Sequence, residues 1–147
     1  MGADGGTTVT GAHPPGGPEL DNASAFLAAA GLRLTHVAAD RVEGMIDLGP
    51  AHHTPWGVVH GGVYTAAVES AASVGATAAV ADRGQVAVGT NNNTDFLRSM
   101  TTGTVAVTAA PVQQGRTQQL WEVRITDQSG RVVARGTLRL QNIQPRQ

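Results

Sequence analysis

From Gly61 to Ala81 the chain reads "GGVYTAAVESAASVGATAAVA", an unbroken run of mostly small side chains in which Glu69 is the only charge. The run has the length of a membrane span, but Tyr64, Thr65, Glu69, Ser70, Ser73 and Thr77 interrupt its apolar character. It is better read as a buried helix of a soluble domain. A helix with so little side-chain bulk lets a strongly curved sheet wrap closely around it, and that requirement governs what the rest of the chain must supply.

The flanking segments change period. "NASAFLAAAG" predicts a short helix, with Asp21 or Asn22 as N-cap and Gly31 as a left-handed C-cap. "LRLTHVAA" and "RVEGMIDLG" then alternate apolar and polar residues around Ala39-Asp40, which predicts a hairpin. In "PAHHTPWGVV" two prolines and a glycine suppress ladders and helices alike, so a loop is expected before the long helix, which Arg83-Gly84 closes. Beyond it, "QVAVGTNNNTDFL", "GTVAVTAAPVQQ", "TQQLWEVRITD" and "RVVARGTLRLQNI" read as strands, parted by turn signals at Ser99 to Thr102, Gly115 and Ser129-Gly130. The order is helix, two strands, one long helix, four strands. A run of strands after the helix argues for an α+β fold with an antiparallel sheet rather than alternating βαβ units.

Residues 1–18 are rich in Gly, Pro and Thr and poor in large apolar side chains, so they are expected to form a flexible tail, leaving residues 19–147 as a single domain. The first residues lack the basic and apolar regions of a secretory signal, so a cytoplasmic location is expected. Ten basic against eleven acidic side chains leave no electrostatic footprint for nucleic acid. With no cysteine there is neither a disulfide framework nor a thiol nucleophile. His52-His53 invites a metal reading, but adjacent loop residues without a third ligand at useful spacing do not make a site, and no metal is expected.

Three stretches, "GVVHGGVYTAAVES", "NNNTDFLR" and "GRTQQLWEVRITDQSGRVVARGTLRLQN", together resemble the hotdog-fold acyl-CoA thioesterases. The similarity is to the branch of the phenylacetate-pathway and 4-hydroxybenzoyl-CoA thioesterases that carry a glutamate in the helix. With the hairpin it covers roughly Leu32 to Ile143. It implies a hotdog fold, a curved antiparallel sheet wrapped around one long central helix, and a homodimer that forms a continuous sheet, with two dimers pairing into a homotetramer. The implied activity is hydrolysis of acyl- or aryl-CoA thioesters, with coenzyme A entering as part of the substrate and no cofactor.

The resemblance also implies roles that physical chemistry makes sensible. A helix N-terminus offers unpaired N–H groups and partial positive charge, and glycine there admits a substrate oxygen to the backbone, so Gly61 or Gly62 can polarise a thioester carbonyl. By analogy the donor is the Gly61 amide, and Glu69 is the attacking carboxylate or the general base for water. Gly61 and Glu69 are eight residues apart. On one straight helix that separates them by about 12 Å along the axis, at roughly 1.5 Å per residue. If both act on one carbonyl, they must come from different subunits, which implies an obligate dimer.

Ser73, four residues after Glu69 on the same face, matches the hydroxyl that in related enzymes positions the carboxylate or the water, and Thr65 extends this polar stripe. Thr54 stands where relatives often carry Gln or Asn, a shorter side chain with a hydroxyl in place of the amide. His60 matches the histidine before the glycines and either donates near the carbonyl or holds the loop. For the coenzyme A portion the resemblance points to Gly62, to Thr90, Asn91 and Asn92 on an edge strand, and to Arg98 and Arg116 for the phosphates.

Blander readings stay open at this level. Glu69 can be a structural acid paired with an arginine, His60 a helix cap, and the two glycines mere packing devices. A non-catalytic acyl-CoA-binding or sensor protein on the same scaffold is the alternative function. A hydratase ranks last, because its different local motif is not found.

Overall fold

The computed structural model describes residues 18–20 and 22–146, so the expected tail lies outside the described residues up to residue 17. Its elements follow the predicted order. They are α1 (Ala25–Ala30), β1 (Arg33–Ala38), β2 (Arg41–Leu48), α2 (Gly61–Val80), β3 (Val86–Phe96), β4 (Gly103–Gln114), β5 (Gln118–Thr126) and β6 (Val132–Ile143). Short 3-10 turns occupy Pro50–His52 and Ala81–Arg83. Helix α1 starts later than expected. Its cap is Ser24, whose Oγ accepts from the Leu27 N–H at 3.2 Å, because this hydroxyl stands immediately before the apolar run and reaches its third amide. Asn22 instead donates to the Glu19 carboxylate, and Asp21 lies outside the described residues. Gly31 caps the other end with φ +80°, as predicted.

All six strands pair antiparallel in the order β1-β2-β4-β5-β6-β3, giving the sheet around a central helix that the resemblance implied. Alternation sorts the faces. Val42 and Ile46, Val105 and Val107, Trp121, Val123 and Ile125, and Leu138 and Leu140 are all buried on the side that meets α2. The helix answers with Ala67, Val68, Ala71, Ala72, Gly75 and Ala76. Close approach is literal at Gly75, where a Cβ would lie 2.6 Å from Trp121 Cζ3 and 2.9 Å from Val42 Cγ2. The Trp121 indole N–H donates to Gln119 Oε1, and the Gln119 amide donates to the Ala76 carbonyl of the helix and to Asn142 Oδ1, each at 2.9 Å. A fully buried polar group needs such partners, so the network fixes the far half of α2 against the sheet.

Strand β3 is an edge, paired only with β6 among the described residues. It is stapled to α2 at two points: the Ala87 N–H donates to Thr77 Oγ1 at 3.1 Å, and the Asn92 amide donates to the Thr65 carbonyl at 3.0 Å. Between them the register slips, leaving Thr90 as the extra residue of a bulge between Gly89 and Asn91. Among the described residues, no helix is long and apolar enough to cross a membrane.

Candidate active site

The first turn of α2 decides which backbone donor is free. His60 is its N-cap, and its Nδ1 accepts from the Gly62 N–H at 2.8 Å. The Val63 N–H donates to the His60 carbonyl at 3.0 Å, and the His60 N–H to the His52 carbonyl at 2.8 Å. Among the described residues the Gly61 N–H meets no acceptor. Both glycine amides were open candidates from sequence, and the cap engages Gly62, leaving Gly61 as the unpaired donor at the positive end of the helix dipole. A Cβ on Gly61 would lie 2.7 Å from the Phe96 ring, an exposed side chain that would have to swing aside to admit it.

A cleft of about 270 Å³ opens at this point, lined by Val59, Gly61, Tyr64, Phe96, Leu97, Arg98 and Ser99. Tyr64 and Phe96 face each other with ring centroids 6.3 Å apart. Burial pushes the Tyr64 phenol above its ordinary value of 10.0, so it stays protonated.

Glu69, two turns further on, faces a different cleft, of about 560 Å³, with Gly62, Thr65 and Ser70 of α2 and Phe26 and Leu27 of α1. It is exposed, and among the described residues it makes no ion pair or side-chain hydrogen bond. The reading of Glu69 as an arginine-paired structural acid thus finds no arginine beside it. Its Oε1 lies 3.1 Å from where a Cβ on Gly89 would stand, so the missing side chain at the β3 bulge makes room for the carboxylate. Gly61 and Glu69 line separate clefts of the one chain, in keeping with the separation that their spacing predicts.

The other sequence-predicted residues scatter. Ser73 is half-buried and does not line the Glu69 cleft, whereas Ser70 does. The Thr65 hydroxyl donates to the Gly61 carbonyl at 3.3 Å, a bond within its own helix. Thr54 organises the preceding loop, accepting from the Trp56 N–H at 3.3 Å. His60 shares a third cleft with His52 and His53, whose ring nitrogens bond the Ala29 and Thr101 carbonyls. The Thr90 hydroxyl donates to the Arg139 carbonyl, and the Asn92 amide is engaged by the helix, while Asn91 is exposed. Arg98 joins Gly61 at its cleft, but Arg116 sits at the β4–β5 turn and lines none of these clefts. Sequence reasoning missed Gly89, Tyr64, Phe96 and Phe26. Only Gly89 left a signal, a lone glycine inside a strand pattern, which marks a bulge or a close approach.

A family model described as "Thioesterase superfamily" matches residues 57–134. Among curated proteins, a candidate esterase of Mycobacterium tuberculosis is 49% identical over 118 residues, 79% of this chain and 84% of the relative. Its solved structure superimposes with a TM-score of 0.79 at 48% identity, covering 83% of this chain and 98% of the other. The 1,4-dihydroxy-2-naphthoyl-CoA hydrolase of Listeria monocytogenes is 29% identical over 103 residues, 70% of this chain and 83% of the relative. The proofreading thioesterase EntH of Cronobacter turicensis is 32% identical over 101 residues, 69% of this chain and 73% of the relative.

Proposed function

The chain belongs to the thioesterase superfamily, and from that premise we propose that it hydrolyses acyl- or aryl-CoA thioesters with Glu69 of one protomer and the Gly61 amide of its partner. The observation that carries this reading is the single charge of α2 standing unpaired and exposed, against a glycine on the bulged strand. The relatives named as a CoA hydrolase and a thioesterase support the substrate class.

The thioester carbonyl oxygen accepts from the Gly61 N–H, which stabilises the negative charge that develops when the carbonyl carbon is attacked. Glu69 either adds to that carbon, giving a mixed anhydride that water opens, or takes a proton from the attacking water. A thiol leaves readily as its anion, with an unperturbed pKa of about 8.5, so no dedicated acid is needed. His60, with Nδ1 accepting from Gly62, carries its proton on Nε2 and holds the turn that presents Gly61. Thr90 and Asn91 are the candidates for the pantetheine amides and Arg98 and Arg116 for phosphate. Of the two arginines, only Arg98 lines a cleft.

The second subunit docks on the free edge of β3, where Val88, Phe96 and Leu97 are exposed. An unpaired edge of eleven residues is a template for the same strand of another copy, which would continue the sheet through a two-fold axis. Release of free thiol from a panel of CoA esters tests the chemistry. Glu69→Gln is expected to lose about 10²–10⁴-fold in kcat. Undiminished turnover in that variant and in Glu69→Ala would remove Glu69 from the mechanism. Oxygen from labelled water appearing in Glu69 after one turnover would select the anhydride path.

A further inference from the structure

The cleft at the start of α2 holds a polar group that the proposed chemistry leaves idle. Tyr64, the chain's single tyrosine, is 2% exposed, and its hydroxyl is one of two buried side-chain polar atoms without a partner among the described residues. A buried hydroxyl is ordinarily hydrogen-bonded, so an orphan on a residue that lines a cleft marks a place that a bound molecule can complete. Tyr64 stands three residues after Gly61, on the same helical face, and helical side chains lean back over the preceding turn. Its ring therefore extends toward the free Gly61 N–H, and both residues line the same cavity of about 270 Å³. That volume falls below the roughly 300–1,000 Å³ of sites for drug-sized ligands. It suits a compact acyl group lying along the wall that Tyr64 and the adjoining Phe96 ring form together.

We infer that Tyr64 is a specificity-determining residue: its hydroxyl bonds an oxygen carried by the acyl group whose carbonyl is held at the Gly61 N–H, selecting such acyl groups over otherwise identical ones. The inference rests on the thioester-hydrolase reading and deepens it. The selectivity comes from the bond gained, because the hydroxyl is already buried without a partner among the described residues: an acyl oxygen satisfies it, whereas an acyl group lacking that oxygen leaves it as it was. A protonated phenol can donate to a keto or ether oxygen or accept from a hydroxyl.

Matched substrates test this: benzoyl-CoA against 4-hydroxybenzoyl-CoA, and butanoyl-CoA against 3-hydroxybutanoyl-CoA, each with the wild type and Tyr64→Phe. The wild type is expected to favour the oxygen-bearing member of at least one pair by about ten-fold or more in kcat/KM. Tyr64→Phe should collapse that ratio to near unity, the loss falling on the oxygen-bearing member, with the Tm of the unliganded protein unchanged or raised. A wild type without preference in either pair, a variant that keeps the preference, an equal loss on both members, or a marked fall in Tm would each overturn the inference. A wild type that releases no thiol from any CoA ester sinks the hydrolase reading itself and the inference with it, an outcome visible before any variant is made.

Discussion

Glu69 and Gly89 together shape the carboxylate proposed to react, one by its charge and the other by its lack of a side chain. A methyl group at position 89 would stand 3.1 Å from Glu69 Oε1 and 3.4 Å from Leu138 Cδ1. The carboxylate is the free end of a flexible, exposed side chain, so it yields before the strand does. Gly89→Ala is therefore expected to change stability by less than about 1 kcal/mol. Turnover should fall by as much as about 10²-fold, the scale of loss for a reacting group misplaced by about 1 Å. Steady-state kinetics beside a thermal melt checks the split, and equal losses in both would show that Gly89 serves only packing. Glu69 and Gly61 stood out in the sequence as candidates because a charge in an alanine run and a glycine pair after a histidine are local anomalies. Gly89 showed only as a lone glycine in a strand pattern, and what approaches it could not be read, since that exists only once the bulge at Thr90 has set which residue of β3 meets the helix. Tyr64 was hidden for a related reason: that a hydroxyl lacks a partner is a fact about everything around it.

The elements themselves were readable because alternation and small-residue runs are local, and the hairpin, the long helix and the four later strands fall where those patterns put them. The sheet order was not readable, because alternation assigns faces and says nothing about neighbours; the resemblance supplied the antiparallel sheet around the helix and an edge position for the strand of Thr90 to Asn92, but no full order. The contact that seats α2 in the sheet is equally non-local. Alanine at position 75 would favour the helix by about 1 kcal/mol over glycine. Yet the new methyl group would press on Trp121, which is fully buried and tethered through its N–H to Gln119. Overpacking of this kind costs about 1–3 kcal/mol, so Gly75→Ala is expected to lower the Tm by a few degrees despite its better helix propensity. On the outer face of the sheet, Asp47 of β2 ties β1 to β4. The hydrogen bond from Arg33, and then that from Thr104, holds its carboxyl below the ordinary 3.8, against a small opposing effect of burial. A carboxyl depressed by folding adds stability above its unfolded pKa and loses it as the pH falls through the folded value. Asp47→Asn should accordingly lower the urea midpoint at neutral pH, and the gap from wild type should narrow on acidification below about pH 4. A gap independent of pH would mean that the pair contributes through geometry alone.

At the scale of the whole molecule, the question is whether one chain suffices for one site. Within a protomer, the free Gly61 N–H and the unpaired Glu69 carboxylate open onto different clefts, and the exposed edge of β3 lies beside both, through Phe96 at one and Gly89 at the other. If, as proposed, a second copy continues the sheet from that edge and sets each cleft against its counterpart, the complete site belongs to the pair. Two defective chains should then repair each other. Gly61→Pro deletes the amide N–H at the first helical position, where a helix accepts proline best, with the exposed Phe96 ring swinging aside for the new Cβ, and alone should cost about 10²–10³-fold. Glu69→Gln removes the carboxylate. Co-expressed with different affinity tags and purified through both, the two variants give a heterodimer in which Glu69 of one chain faces Gly61 of the other at one site, while both groups are lost at the second. Turnover per dimer is expected to return to about half of wild type. If both groups served the same carbonyl from within one protomer, each site would lack one of them and mixing would restore nothing, so recovered activity separates the two arrangements without any knowledge of the acyl group.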